Sequence, residues 1–175
     1  VTFVAAMPNG ITRNGTCVFS GSYAKNDEHL SPAGIDLANV ITVGGVVSRY
    51  DAATEQVVAE IPACGFDGSA VDLYAPQDVP HPDGSVQAGT SFGAPMVTST
   101  IAAMLAVDPS LTPSELKLHL QEGATIHANG VRALSVSRPL NQVIFNKACA
   151  SGGAALCDVC AFDGGEGALP GTIYE

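Results

Sequence analysis

One short segment, Gly89-Thr90-Ser91-Phe92-Gly93-Ala94-Pro95, constrains this chain more than any other. A strand-like stretch at residues 86–88 ends in glycine, and an apolar run with helical spacing follows from Thr90. The chain must therefore leave a strand, turn at a glycine and enter a buried helix. A serine at such a turn lies at a helix N-terminus, where backbone N–H groups lack helical partners and the helix dipole favours negative charge. Ser91 is thus a candidate nucleophile, although Gly-Thr-Ser taken alone is better explained as an ordinary helix cap.

Strand and helix patterns alternate along the chain and predict an α/β fold with parallel strands. Strands are predicted at residues 2–6, 40–43, 71–76 and 86–88, and hairpins at residues 46–62 and, around Asn129-Gly130, at 124–136. Helices are predicted from Thr90, from a capping box formed by Thr112 and Glu115 to Gly123, and over residues 139–148. Residues 7–32 and 77–84 are predicted to be loops.

Composition excludes several classes of function. The 175 residues suit one domain, and the net charge of −10 argues against binding to nucleic acid, which requires clustered Lys and Arg. The longest apolar runs, such as residues 40–47 and 101–107, are too short to span a bilayer, so no membrane span is expected. An acidic surface is typical of a soluble secreted protein.

The five cysteines are an odd number, so in an oxidising compartment one of them stays unpaired or bonds to another chain. Cys17 and Cys64 lie in predicted surface loops and can pair, although nothing in the sequence fixes the connectivity. Cys149, Cys157 and Cys160 offer three thiolates where a structural zinc site wants four ligands, so a disulfide is favoured and no metal site is predicted. Residues 149–175 are rich in Gly and Ala and are predicted to form a tail after a domain of residues 1–148. Asn14-Gly15-Thr16 is a glycosylation sequon.

The serine segment resembles the nucleophile motif of the subtilisin-like serine peptidases, Gly-Thr-Ser-x-Ala-x-Pro. Residues 3–9, 38–44 and 71–76 resemble three further segments of that family in the same order, so the resemblance covers residues 1–148. It implies the second half of a subtilisin-like α/β domain, with a parallel sheet and flanking helices. It also implies Ser91 as the nucleophile and Asn9 as the oxyanion-binding side chain. Ala5, Ala6 and Met7 are then expected to form a wall of the substrate-binding site.

The same resemblance shows what the chain lacks. The family's Asp-Ser/Thr-Gly and His-Gly-Thr motifs, which carry the other two triad residues, do not occur, and none of the four histidines precedes glycine. Both motifs belong to the family's first half, and residues 1–6 read as a strand already under way, so we expect a longer product. Two hypotheses follow. In the first, the protein is a secreted endopeptidase acting on protein or peptide substrates, whose Asp and His come from an upstream segment or companion chain.

In the second hypothesis, the protein is an inactive family member used for structure or protein binding. Four departures from the family pattern bear on it: Met7-Pro8, Gly93, Met96 and Gln77. The resemblance also implies an inhibitory propeptide. No cofactor is certain, but a weak calcium or monovalent-cation site is a candidate where Asp72 meets the carbonyl groups of residues 33–37.

Overall fold

The structure is a computed structural model, and it describes residues 1–151. The helices are α1 (Thr90–Val107), α2 (Pro113–Glu122) and α3 (Ser137–Ala150). A 3-10 helix covers Glu28–Leu30. The strands are β1 (Phe3–Ala6), β2 (Ile11–Arg13), β3 (Thr16–Phe19), β4 (Gly21–Ser22), β5 (Val40–Asp51), β6 (Gln56–Glu60), β7 (Phe66–Asp67), β8 (Leu73–Pro76), β9 (Asp78–Pro80), β10 (Val86–Ala88), β11 (Thr125–Ile126) and β12 (Arg132–Ala133).

A mostly parallel sheet organises the chain. Its order is β1-β5-β8-β12-β11, and β6 pairs with the distal part of β5 as a hairpin. The β1–β5, β5–β8 and β8–β12 pairs are parallel, whereas β11–β12 and β5–β6 are antiparallel. This arrangement confirms the predicted α/β class. The strand β1 is terminal, and its outer edge has no partner strand among residues 1–151.

The main core lies between the sheet and the three helices. Ile41 and Val43 of β5 and Leu73 of β8 pack against Val97 and Met104 of α1, and all five are at most 1% exposed. By length and composition alone, α1 is apolar enough to cross a membrane, but the core helix of a soluble protein can meet the same two criteria. Here it packs on β1, β5 and β8 and against α3. The predicted lack of a membrane span stays a prediction.

The strongest local patterns were predicted correctly. The helix α1 begins at Thr90, and α2 begins with the Thr112–Glu115 capping box and ends before Gly123. The β11–β12 hairpin turns around Asn129-Gly130 as expected. Two loop predictions were wrong in part: residues 7–32 contain the hairpin β2–β3, and residues 77–84 contain β9, which pairs with β10. The predicted tail lies outside the described residues, except for its first three positions.

Asp72 is the centre of a buried charged cluster. Its Oδ1 lies 2.7 Å from Lys25 Nζ and 2.9 Å from Lys117 Nζ, and its Oδ2 accepts a 2.8 Å hydrogen bond from the Thr42 amide. Burial opposes the charge of Lys25, but the hydrogen bond and the negative charge of Asp72 outweigh it and raise the pKa of Lys25. The idea of a cation site at Asp72 is therefore corrected. Two ammonium groups occupy its carboxylate, and the Ala33 carbonyl accepts the Thr42 hydroxyl.

We expect Asp72→Ala to lower the free energy of unfolding by about 3–5 kcal/mol, because two partly buried ammonium groups lose their counter-charge. Urea denaturation measures this loss. Asp36→Ala is the matched control, since Asp36 lies 3.6 Å from Lys25 but its side chain is 53% exposed. The control is expected to cost about 0–1 kcal/mol. Equal losses in the two variants would contradict the buried cluster.

Asp108 links the end of α1 to α3. Hydrogen bonds from Ser110 and the ammonium group of Lys147, 3.1 Å away, lower the pKa of Asp108 to about 2. A lowered pKa means that the unfolded chain binds the proton more readily. The stability from this carboxylate is therefore complete above its ordinary pKa of 3.8 and is lost as the pH falls towards 2.

We expect Asp108→Asn to flatten the pH dependence of unfolding between these two values, as followed by urea titrations at a series of acidic pH values. Lys147→Met should reproduce part of the flattening, because it removes one of the groups that stabilise the carboxylate. Parallel pH curves for the parent protein and Asp108→Asn would show that Asp108 makes no such contribution.

Candidate active site

Ser91 occupies the second position of α1 and is exposed to solvent. The helix follows Gly89 directly, so the amides of its first turn have no helical acceptors. The Thr90 amide donates to Asn9 Oδ1 and the Phe92 amide donates to the Gly89 carbonyl. The Ser91 amide has no acceptor among residues 1–151. The hydroxyl group and the unpaired N–H of the exposed Ser91 therefore both lie at the positive end of the helix dipole.

Asn9 lies beside this turn, three residues after the end of β1. Its Oδ1 accepts the Thr90 amide at 2.8 Å and lies 3.0 Å from the Thr90 hydroxyl. Because an amide N–H must face an acceptor, this contact fixes which end of the Asn9 side chain is oxygen. The Nδ2 donor then points away from Thr90 and has no acceptor among the described residues. A Cβ added to Gly89 would lie 3.4 Å from Nδ2, so the donor is close to the turn that carries Ser91.

Thr90 holds the two segments together. It is 5% exposed, and its hydroxyl donates to the Met7 carbonyl while its amide holds Asn9. Met7 in turn donates its amide to the Val43 carbonyl of β5. The end of β1 and the start of α1 are thus joined by hydrogen bonds that leave Ser91 N–H and Asn9 Nδ2 unused. Sequence reasoning did not assign a role to Thr90, although its place between the motif's glycine and serine was the available clue.

The expected wall of the substrate site needs a correction. Met7 is 1% exposed and packs with Ala5, Leu30 and Phe66 in a second core cluster, so its side chain is turned away from the site. Ala5 is also buried, at 8% exposure. Side chains alternate between the two faces of a strand, so Ala6 and Pro8 face the opposite way from Ala5 and Met7. Both Ala6 and Pro8 are partly exposed.

A cavity of about 210 Å³ opens next to Asn9. Its walls are formed by the segment after β1, the loop before β7, and the turn into α1: Pro8, Asn9, Gly10, Thr12, Gly45, Pro62, Cys64, Gly65, Phe66, Gln77, Ala88, Gly89 and Thr90. Pro8 and Gln77, noted only as departures from a motif, therefore line it. No histidine or carboxylate belongs to this described lining. Within residues 1–151, no three His, Cys, Asp or Glu side chains come together as a metal-binding group.

The histidines lie elsewhere in the described chain. His81 Nδ1 lies 3.1 Å from Asp83 in the loop between β9 and β10, and His127 Nδ1 accepts the Ala59 amide. His29 lies in the 3-10 helix and His119 on α2. The structure thus places Asn9 against Thr90, the residue before Ser91, and the described lining of the cavity contains no general base.

A disulfide joins Cys17 of β3 to Cys64, whose Cα atoms are 5.4 Å apart. This pairing confirms the one considered from the sequence. Cys149 is also disulfide-bonded. Cys157 and Cys160 lie outside the described residues.

Residues 1–152 match the sequence model of Peptidase_S8, the Subtilase family. No curated protein matches the chain significantly. Among solved structures, the subtilase cytotoxin SubAB assembly has a TM-score of 0.60 and 21% identity, with 85% of this chain and 51% of that chain covered. Fervidolysin from Fervidobacterium pennivorans, described as a keratinolytic enzyme related to subtilisin, has a TM-score of 0.54 and 20% identity, covering 81% and 22%.

MycP1 from Mycobacterium smegmatis gives a TM-score of 0.53 and 20% identity, covering 79% of this chain and 41% of that chain. At these identities the three structures show a shared fold. The chain spans about half or less of the length of each of them.

We expect Thr90→Val to destabilise the protein by about 1–3 kcal/mol, because the Met7 carbonyl loses its buried donor while the volume of the side chain is kept. Thr90→Ser is the matched control, since it keeps the hydroxyl. Urea denaturation distinguishes the two variants. A larger loss in Thr90→Ser than in Thr90→Val would mean that packing of the methyl group, which valine keeps and serine lacks, matters more than the hydrogen bond for joining β1 to α1.

Proposed function

This chain belongs to the subtilase family, and we propose that it is the nucleophile-bearing part of a serine endopeptidase. One observation carries the proposal. The exposed Ser91 follows Thr90, whose amide binds Asn9 Oδ1, so this turn offers two hydrogen-bond donors, Ser91 N–H and Asn9 Nδ2, that have no acceptor among residues 1–151. A pair of such donors beside a serine hydroxyl suits the stabilisation of an oxyanion. As a helix cap alone, Ser91 would need neither the exposed position nor the second donor.

The chemistry follows from these groups. Ser91 Oγ attacks the carbonyl carbon of a peptide bond, and the carbonyl oxygen becomes an oxyanion that accepts from Ser91 N–H and Asn9 Nδ2. Collapse of the tetrahedral intermediate releases the amine and leaves an acyl group on Ser91, which water then hydrolyses. A base has to take the Ser91 proton and give it to the leaving amine, and a carboxylate has to orient that base. We propose that a His and an Asp of an upstream segment or companion chain do this.

Two surface features support such a segment. The outer edge of β1 has no partner strand among residues 1–151, and Val1 and Phe3 near it are 96% and 57% exposed. The helix α1 also exposes one continuous face that begins at the nucleophile and consists of small residues: Ser91, Pro95, Thr98, Ser99, Ala102 and Ala106. A partner seated on both features lies beside Ser91, where the missing base is needed.

The finer assignments complete the proposal. Residues 1–148 form the family domain and residues 149–175 a tail. The substrate-binding role expected for Ala5, Ala6 and Met7 is assigned instead to Ala6 and Pro8, because these two are partly exposed whereas Ala5 and Met7 are buried. The substrates are proteins or peptides, and an inhibitory propeptide acts before maturation. The Cys17–Cys64 disulfide supports secretion to an oxidising compartment, and Asn14 is exposed at the tip of the β2–β3 hairpin, where a sugar chain has room.

A second candidate is a catalytically inactive module that binds other proteins. The cavity lining without histidine or carboxylate favours it. The sequence that precedes Val1 in the gene product separates the two candidates: the motifs Asp-Ser/Thr-Gly and His-Gly-Thr favour the enzyme, and the loss of either favours the module.

We expect a fluorophosphonate probe to label Ser91 in the full-length protein, and Ser91→Ala to abolish the labelling, because the probe reacts with activated serine hydroxyls. Asn9→Ala should slow labelling by about 100-fold or more, a magnitude taken from the loss of the oxyanion asparagine in subtilisin itself. Mass spectrometry of the labelled peptide identifies the site.

Asn14→Ala is the matched control, since Asn14 is an exposed asparagine on the neighbouring hairpin, and it should leave the labelling rate unchanged. An assembled protein that contains both upstream motifs and still resists the probe would overturn the proposed activity and leave the binding module.

A further inference from the structure

We propose that Cys64, fixed by its disulfide to Cys17, is a positioning residue for Asn9 and acts through Gly10. The inference rests on the proposed function, because its effect is on the oxyanion donor. Thr90 holds the side chain of Asn9 from one side. Cys64 holds the backbone that follows Asn9 from the other side.

The contact between Cys64 and Gly10 is very close. A Cβ added to Gly10 would lie 1.4 Å from the Cys64 carbonyl oxygen and 3.2 Å from Cys64 Cβ, so only glycine fits here. The Sγ of Cys64 lies 3.1 Å from the Ile11 carbonyl oxygen. Cys64 therefore contacts both residues that follow Asn9, and a shift of Cys64 must move that segment or open a gap beside it.

Cys64 is cross-linked to the β2–β3 hairpin. The disulfide connects it to β3 across 47 positions of sequence, and the ring of Phe66 meets that of Phe19 at 5.0 Å. All the residues of β2 and β3 are exposed, so the hairpin buries no side chain that would hold it in place without these links. Loss of the disulfide therefore removes the covalent link between Cys64 and the hairpin, while Phe66 stays buried in the second core cluster.

Cys64 and Asn9 also line the same cavity, together with Gly10 and Gly89. The disulfide thus fixes one wall of the cavity as well as the backbone next to the donor. Small displacements matter at such a site, because a shift of about 1 Å in a catalytic group can cost about 100-fold in rate. The Cys17–Cys64 disulfide therefore positions Asn9 for oxyanion binding, in addition to stabilising the fold.

The test is a double-mutant cycle in the full-length protein, with the rate of Ser91 labelling by a fluorophosphonate as the readout. We expect the Cys17→Ser/Cys64→Ser variant to react about 10- to 100-fold more slowly than the parent. In an Asn9→Ala background the same two substitutions should have little further effect, because they act through Asn9. Val143→Ala, which truncates a core residue of α3 that is 2% exposed, controls for a general loss of stability and should leave the rate unchanged.

Gly10→Ala tests the contact between Gly10 and Cys64 with the disulfide intact. It tests the proposal on its own if the Cys17→Ser/Cys64→Ser variant does not fold. The added methyl group must displace either Cys64 or Asn9, so we expect a similar decrease in rate that again vanishes in the Asn9→Ala background. Gly15→Asn is its control, since Gly15 has open space around it and asparagine tolerates its positive φ of 75°.

The two proposals fail in different ways. No labelling of the parent protein overturns the activity and this inference with it. Labelling of the parent, with rate losses that are equal in the presence and absence of Asn9, overturns only the role of Cys64 as a positioning residue.

Discussion

The candidate site depends on the hydrogen bonds of Thr90. This one residue joins the end of β1 to the start of α1, which are 81 positions apart between Asn9 and Thr90. Its hydrogen bonds connect the helix that carries the serine to the loop that carries the asparagine. Burial makes an unpaired Thr90 hydroxyl or Met7 carbonyl costly, so the fold itself favours the arrangement that aligns the donors.

The rest of the molecule supports that junction. The parallel pairing of β1 with β5 fixes where β1 ends, and the packing of α1 on Ala75 of β8 fixes where the helix begins. A Cβ on Gly93 would approach that of Ala75 to 3.1 Å, so the glycine, where alanine is usual in the family, lets α1 lie close to the sheet. The charged cluster at Asp72 stabilises the opposite end of the same sheet without taking part in the site.

Local patterns explain which parts of the structure could be predicted. A capping box, an Asn-Gly turn and a glycine between strand and helix each determine a few neighbouring residues, and all three were located correctly. The hairpin β2–β3 was missed although Asn14-Gly15, a strong turn dipeptide, lies at its tip, because its strand residues are all exposed and show no apolar alternation. The direction of Met7 could have been predicted from the period of β1, but the family motif suggested a substrate contact. The pairing of Lys25 and Lys117 with Asp72 joins distant segments, and no local pattern encodes it.

The outer edge of β1, unpaired within the described part of the chain, has a consequence for control. The strand β1, whose outer edge can pair with a neighbouring chain, is also the strand that leads to Asn9. Pairing at the edge and positioning of Asn9 therefore depend on the same strand. Under the proposed function, a segment that adds to this edge would restrict the motion of β1 and reduce the entropy that Asn9 loses on binding an oxyanion. Association of the segment and binding of the oxyanion would then be thermodynamically linked, so each would strengthen the other.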